Sequence, residues 1–121
     1  MAVRAVRGAT QVASNDRGAI MDGTTELVLA VLAANELTPD DLISVLFTAT
    51  PDLTAEFPAL AARKAGLSGV PLLCAGEIDV PGALPRVVRL MAHIDTPRSA
   101  SEVRHVYLHG ATALRPDLER P

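Results

Sequence analysis

Arg7, Arg63, Arg89 and Arg115 fall beside predicted strand ends or on predicted helices, Glu77 and Cys74 fall at a predicted strand-to-helix connection, and Tyr107 falls in a late strand. A planar guanidinium binds a carboxylate through two parallel hydrogen bonds, where a lysine ammonium acts as a point charge. At the carboxyl ends of strands such a set suits an anionic small molecule. Ten of the eleven basic residues are arginine, Lys64 being the exception. Coding bias in a GC-rich genome accounts for that excess as well as function does. Each residue also has an ordinary structural reading. Arg89 can sit solvated on a polar helix face, Glu77 can be a loop acid, Cys74 a small buried hydrophobe, and Tyr107 a packed ring with its hydroxyl at the surface. Spacing alone does not decide between the two readings.

The common catalytic templates are missing. The sequence has no glycine-rich phosphate loop and no GxSxG, and His93, His105 and His109 lack the spacing of a metal-binding pair. The histidines read as structural or solvent-facing. Metal and nucleophilic catalysis are poorly supported.

Composition narrows the field further. With 121 residues, 49% hydrophobic and 21% charged, the chain suits one packed domain spanning residues 1–121 and not a disordered segment. Aromatics are 2%, too few for base-stacking platforms, and the net charge of -3 has the wrong sign for gripping phosphate backbones. Charge and stacking therefore both argue against nucleic acid as a partner. Cys74 is the only cysteine, so no internal disulfide forms, which fits a reducing cytoplasm. The opening MAVRAVRGAT has no apolar signal core, and no stretch approaches the length of an uncharged membrane span.

The elements that must position these residues follow from periodicity. Residues 2–12 read as a strand in which Arg7 shares a face with Val3 and Ala5. From a cap at Ser14 or Asn15, Ile20, Leu27, Val28, Val31 and Leu32 recur at helical spacing until Asn35. Thr38-Pro39-Asp40-Asp41 starts a short helical turn, and Ile43–Ala49 follows as a buried strand ended by Thr50-Pro51-Asp52. A second helix spans about 55–65 and stops at Gly66, suited to a left-handed C′ position. Residues 70–75 form a third strand. The segment from about 83 to 94 reads as a helix, with Leu84, Val87, Val88, Met91 and Ile94 on its apolar arc and Arg86, Arg89 and His93 opposite. Ser99–Glu102 forms a capping box, and two short strands follow at 104–108 and 111–114. The class is α+β, of α/β type: a mixed sheet of about five strands with helices packed on it. A sheet this short leaves edges that a symmetric oligomer can bury.

Five segments carry a family resemblance. RAVRGAT (4–10), TATPDL (48–53) with FPALAAR (57–63), the spaced set Cys74, Glu77, Asp79, Val80, Gly82 and Leu84, RHVYL (104–108), and LRPDL (114–118) occur in this order over nearly the whole chain. Together they resemble the monofunctional chorismate mutases of the AroH class. The resemblance implies a small α/β domain, a homotrimer built around a pseudo-α/β-barrel of sheets, active sites at the subunit clefts, and conversion of chorismate to prephenate in aromatic amino-acid biosynthesis. It also implies that Arg89 meets the breaking ether oxygen and that Arg7, helped by Tyr107, holds a substrate carboxylate. Glu77 and Cys74 would engage the ring-hydroxyl side. Phe57 and Arg63 would reach in from the neighbouring subunit, and Leu114 and Arg115 would border the site.

The absence of catalytic templates fits this chemistry, because a one-substrate [3,3] rearrangement needs no nucleophile, proton transfer or cofactor. The sequence departs from the family pattern at Leu60, where the family carries lysine, and at Leu73, a substrate-binding position where it carries threonine. The tail, ending at Pro121, is shorter than the family's. The alternatives are a non-catalytic trimeric binding module for an anionic metabolite and a trimeric imine deaminase of similar architecture. The joint presence of Arg7, Glu77, Arg89 and Tyr107 favours the mutase, since a sensor has no need of a donor at an ether oxygen.

Overall fold

The computed structural model describes residues 1–115. Five strands, β1 (Ala2–Gln11), β2 (Leu42–Ala49), β3 (Leu72–Gly76), β4 (Val87–Thr96) and β5 (Val106–Leu108), form one mixed sheet in the order β3-β2-β4-β1-β5. The two pairs flanking β4 are antiparallel, and both edge strands run parallel to their neighbours. The edge strands are also the two shortest, which limits unpaired backbone at the sheet margins.

Helices α1 (Arg17–Ala34) and α2 (Pro58–Ala62) cover one face only. Ile20, Thr24, Leu27, Val28 and Val31 of α1 recur at three- and four-residue spacing and are buried. Below them the inward strand positions Val6, Val45, Phe47, Val88, Leu90, Ala92 and Ile94 complete the core. Gly23 lets α1 approach β1, for a Cβ there would stand 2.6 Å from the Val12 side chain. α2 continues into a wider π-type turn, Arg63–Leu67, in which Gly66 adopts φ 114°, the left-handed geometry expected of it. Phe47 is fully buried at the centre of this layer. Phe47→Ala is expected to destabilise the domain by about 3–5 kcal/mol, read as a lower urea midpoint at unchanged slope.

The expected helix over 83–94 is β4, the central strand. Val88, Leu90, Ala92, Ile94 and Thr96 are buried while Arg89, Met91 and Asp95 are exposed, a period of two. Met91 and the Leu84/Val87/Val88 cluster mimicked a helical arc, but Pro85, two β-branched valines and two waiting antiparallel partners decide for strand. Arg89 and His93 thus share a sheet face, and Arg86 lies outside the strand.

The expected strand at 111–114 is instead part of a 3₁₀ turn, His109–Leu114. Its Ala111 is fully buried against Ala9 and Val87 in a small second cluster with Leu84, Tyr107 and Leu114. β5 starts later than expected because both backbone groups of Arg104 are taken by the Asn35 side chain: the Arg104 N–H donates to Oδ1 at 2.8 Å and its carbonyl accepts from Nδ2 at 2.9 Å. The cap of α1 is Asp16, whose carboxylate accepts the Ala19 N–H at 2.8 Å, and not Ser14 or Asn15. Asn15 serves the chain before α2, accepting the Thr54 and Ala55 N–H groups. The turns opened by Thr38 and Ser99 form as expected, at Pro39–Asp41 and Ala100–Glu102. Pro116, Asp117 and Leu118 of the LRPDL segment lie outside the described residues.

Candidate active site

The sheet face away from the helices carries several of the expected site residues. Residues paired across a sheet point to the same side, so the register places Tyr107, Ala9, Arg89, Thr48 and Ala75 in one row across all five strands. Arg7, Met91, Leu46 and Leu73 form the next row on that face. Strand pairing sets Arg7 and Arg89, far apart in sequence, on adjacent strands of this face, with Tyr107 and Leu73 on its two opposite edge strands.

Glu77 completes the row at the end of β3. Its N–H donates to the Ala49 carbonyl at 3.0 Å, prolonging the β2–β3 pairing. Its carboxylate accepts from Thr48 Oγ1 at 2.6 Å and meets Arg89 Nε at 3.2 Å through Oε2 and 3.3 Å through Oε1. The Glu77 side chain is 17% exposed and that of Arg89 44%. Among the described residues Arg89 spends only Nε on a protein partner, so its terminal N–H groups remain for a ligand. No described carboxylate pairs with Arg7. The arrangement is therefore an aimed cation, a second cation on the adjacent strand without a carboxylate partner among the described residues, and one acid poised to accept a hydrogen bond.

The segment before β4 fixes where Arg89 starts. Arg86 holds φ 54° although it is not glycine. Its N–H donates to both Asp52 carboxylate oxygens (3.2 and 3.0 Å), its Nε donates to the Val12 carbonyl at 3.0 Å, and its carbonyl accepts the Val12 N–H at 2.8 Å. Thr50 Oγ1 accepts the Val87 N–H at 3.0 Å and donates to Asp52 at 2.5 Å. Such over-determination is what holds a non-glycine residue in a sparsely populated conformation. Thr48, Thr50 and Asp52 are not among the site residues expected from the sequence; TATPDL contains them, as a strand, its end and a segment of the family resemblance.

A cavity of about 430 Å³ is bounded by Thr50, Asp52, Glu77, Val80, Leu84 and Arg89. A second, of about 470 Å³, is lined by residues that include Ala49, Thr50, Phe57 and Cys74. A larger one, about 740 Å³, lies elsewhere, between the end of α1 and residues 98–105, and contains neither Arg89 nor Glu77. The remaining expected residues divide between these places. Leu114 packs with Tyr107 in the small cluster, and Arg115 closes the 3₁₀ turn, its N–H donating to the Thr112 carbonyl at 3.2 Å. Cys74 pairs in register with Phe47, so its thiol lies on the helical side and packs against the core. Phe57, 69% exposed, and Arg63 sit at the two ends of α2, and neither lines the cavity that holds Glu77 and Arg89. Among the described residues no cluster of His, Cys, Asp and Glu could hold a metal ion, and no helix is long and apolar enough to cross a membrane.

The sequence matches the family model for chorismate mutase type I over residues 3–118. It is 50% identical over 118 residues to the chorismate mutase AroH of Thermus thermophilus, covering 97% of each chain. Against the chorismate mutase AroH of Bacillus subtilis it is 40% identical over 119 residues, 98% of this chain and 94% of that one. A solved chorismate mutase from Clostridium thermocellum superposes with a TM-score of 0.89 at 44% identity, over 90% of this chain and 97% of that one. The open-face row of Arg89, Thr48 and Glu77 therefore stands in a chain that belongs to the chorismate mutase type I family.

Proposed function

We propose that this chorismate mutase drives the rearrangement of chorismate to prephenate by conformational restriction and by a cation at the breaking ether bond. In the reaction one C–O bond breaks as one C–C bond forms within the same molecule, and nothing enters or leaves. The observation that carries the reading is the geometry of Arg89, held through Nε by Glu77 with its terminal N–H groups unspent. As the C–O bond lengthens, negative charge gathers on the oxygen, and a fixed donor there stabilises the transition state more than the ground state. Arg7, with Tyr107 one row away, holds a carboxylate of the substrate, so the flexible enolpyruvyl arm stays over the ring. The free oxygen lone pairs of Glu77 accept from the ring hydroxyl. Cys74 enters this scheme as part of the strand that carries Glu77.

The same reading makes the enzyme a homotrimer. Val3, Leu46, Leu73 and Met91 lie on the uncovered sheet face at 60%, 41%, 61% and 37% exposure. An apolar sheet face open to water is the kind of surface that association buries. Three such faces turned toward one another make the pseudo-barrel, with Phe57 and Arg63 of one subunit closing the cleft of the next, and Leu114 and Arg115 at its rim. The lone thiol supports a reducing, cytoplasmic setting.

Mixing the purified protein with chorismate and following loss of the conjugated-diene absorbance tests the proposal. Saturable loss without added metal or cofactor is expected, with the product converting to phenylpyruvate in acid. A folded protein that leaves the absorbance unchanged overturns it.

A further inference from the structure

The sequence reads His105 as a structural or solvent-facing residue, yet its ring meets the backbone of one of the proposed substrate-binding arginines. The β1–β5 ladder begins at Gly8 and Val106. One residue earlier, the Arg7 N–H donates at 3.0 Å to His105 Nδ1 in place of a backbone carbonyl. The backbone that presents His105 is itself fixed, because both polar groups of Arg104 are held by the buried side chain of Asn35 at the end of α1. An imidazole nitrogen that accepts a hydrogen bond carries no proton, so this contact exists only with neutral His105. From the contact at the Arg7 amide we infer that His105 is a positioning residue for Arg7, holding the strand at the point where the carboxylate-binding side chain leaves it, and that its protonation weakens substrate binding.

The surroundings agree with that role. Burial, then Arg7, then Arg115, hold the His105 pKa below the usual histidine value. The other charged groups facing the same cavity are Glu36, Arg98, Glu102 and Arg104. Glu36 is engaged by Arg98 at 2.8 Å, and the Glu102 carboxylate by the Ser99 N–H at 2.8 Å. The ring therefore stays neutral at pH 7 and titrates on the acid side of the ordinary histidine range. Protonation there puts a proton on Nδ1 against the Arg7 N–H, so the acceptor is lost and the two N–H groups push apart. The substrate carboxylates remain ionised over that interval.

This inference rests on the proposed role of Arg7, and the test separates the two. KM and kcat for chorismate are measured from pH 5 to 8 for the native enzyme, His105→Asn, His105→Leu, Arg7→Ala and the double variant Arg7→Ala/His105→Leu. Asparagine offers an uncharged acceptor near the Nδ1 position and cannot titrate. His105→Leu is expected to raise KM about tenfold, the scale of one lost hydrogen bond, with little change in kcat. His105→Asn should restore most of that loss and should lack the acid rise in KM seen in the native enzyme. The double variant should match Arg7→Ala alone. A normal KM for His105→Leu beside a large defect in Arg7→Ala overturns the inference and leaves the role of Arg7 standing. Native-like KM in Arg7→Ala overturns both. Should His105→Leu fail to fold, the pH profiles decide, and an identical acid rise in the native enzyme and His105→Asn sinks the idea.

Discussion

Arg89→Ala is expected to lower kcat by about 10²–10³, the cost of removing one aimed donor from developing negative charge, in a protein that stays folded. The two halves of that statement have separate causes. Arg89 is on the open face of β4, 44% exposed, and its protein contact is a single ion pair with Glu77. Partly exposed pairs of this kind contribute about 0–1 kcal/mol to stability. Thr48 still donates to Glu77 when the guanidinium is gone, so the acid is not left unpartnered. Catalysis loses far more, because no other described cation lies beside Glu77 in that cavity. Arg89→Lys keeps a charge but loses the fork that bonds Glu77 and a ligand at once, and should recover only part of the rate. The diene assay with matched circular dichroism checks both halves, and near-normal turnover from folded Arg89→Ala removes Arg89 from the mechanism.

The sequence carried some of this directly and some only through resemblance. The helix over Ile20–Val31 was legible because three- and four-residue spacing repeats for about three turns, and Gly66 because a left-handed helix end favours glycine. β4 was not, since Val87, Val88, Met91 and Ile94 satisfy a helical arc, and only the two neighbouring strands reveal that period two governs. The cap at Asp16 lost to Ser14 and Asn15 on composition, because the competing task of Asn15 lies across the fold at Thr54 and Ala55. The site itself shows no local signature. Arg7, Arg89, Tyr107 and Thr48 meet through the register of four strands, and no window of sequence contains that register. The structure also separates Cys74 from Glu77 by the alternation of side chains along β3, which a motif written as a string of letters does not express.

Trimers assembled from Arg89→Ala and Arg63→Ala subunits are expected to be far more active than either parent. In a closed ring of three, a site that takes Arg89 from one subunit and Arg63 from the next is intact only where an Arg63→Ala chain precedes an Arg89→Ala chain in the right sense. Every mixed ring, whether two-to-one or one-to-two, contains one such junction, so trimers purified through a different tag on each variant should run at about one third of the native rate. Against parents reduced about 10²-fold or more by loss of a positioned cation, that is a rise of more than tenfold without any new residue. Two features of the chain lead to this expectation. Arg63 and Phe57 lie at the ends of α2, outside the cavity that holds Arg89 and Glu77, so a role at the substrate requires a second copy. The open sheet face with Val3, Leu46, Leu73 and Met91 supplies the surface on which that copy would pack. If Arg63 served its own chain's site, every site in a mixed ring would lack one arginine and activity would stay at the level of the parents. That outcome would leave Arg89 in place and remove the shared cleft.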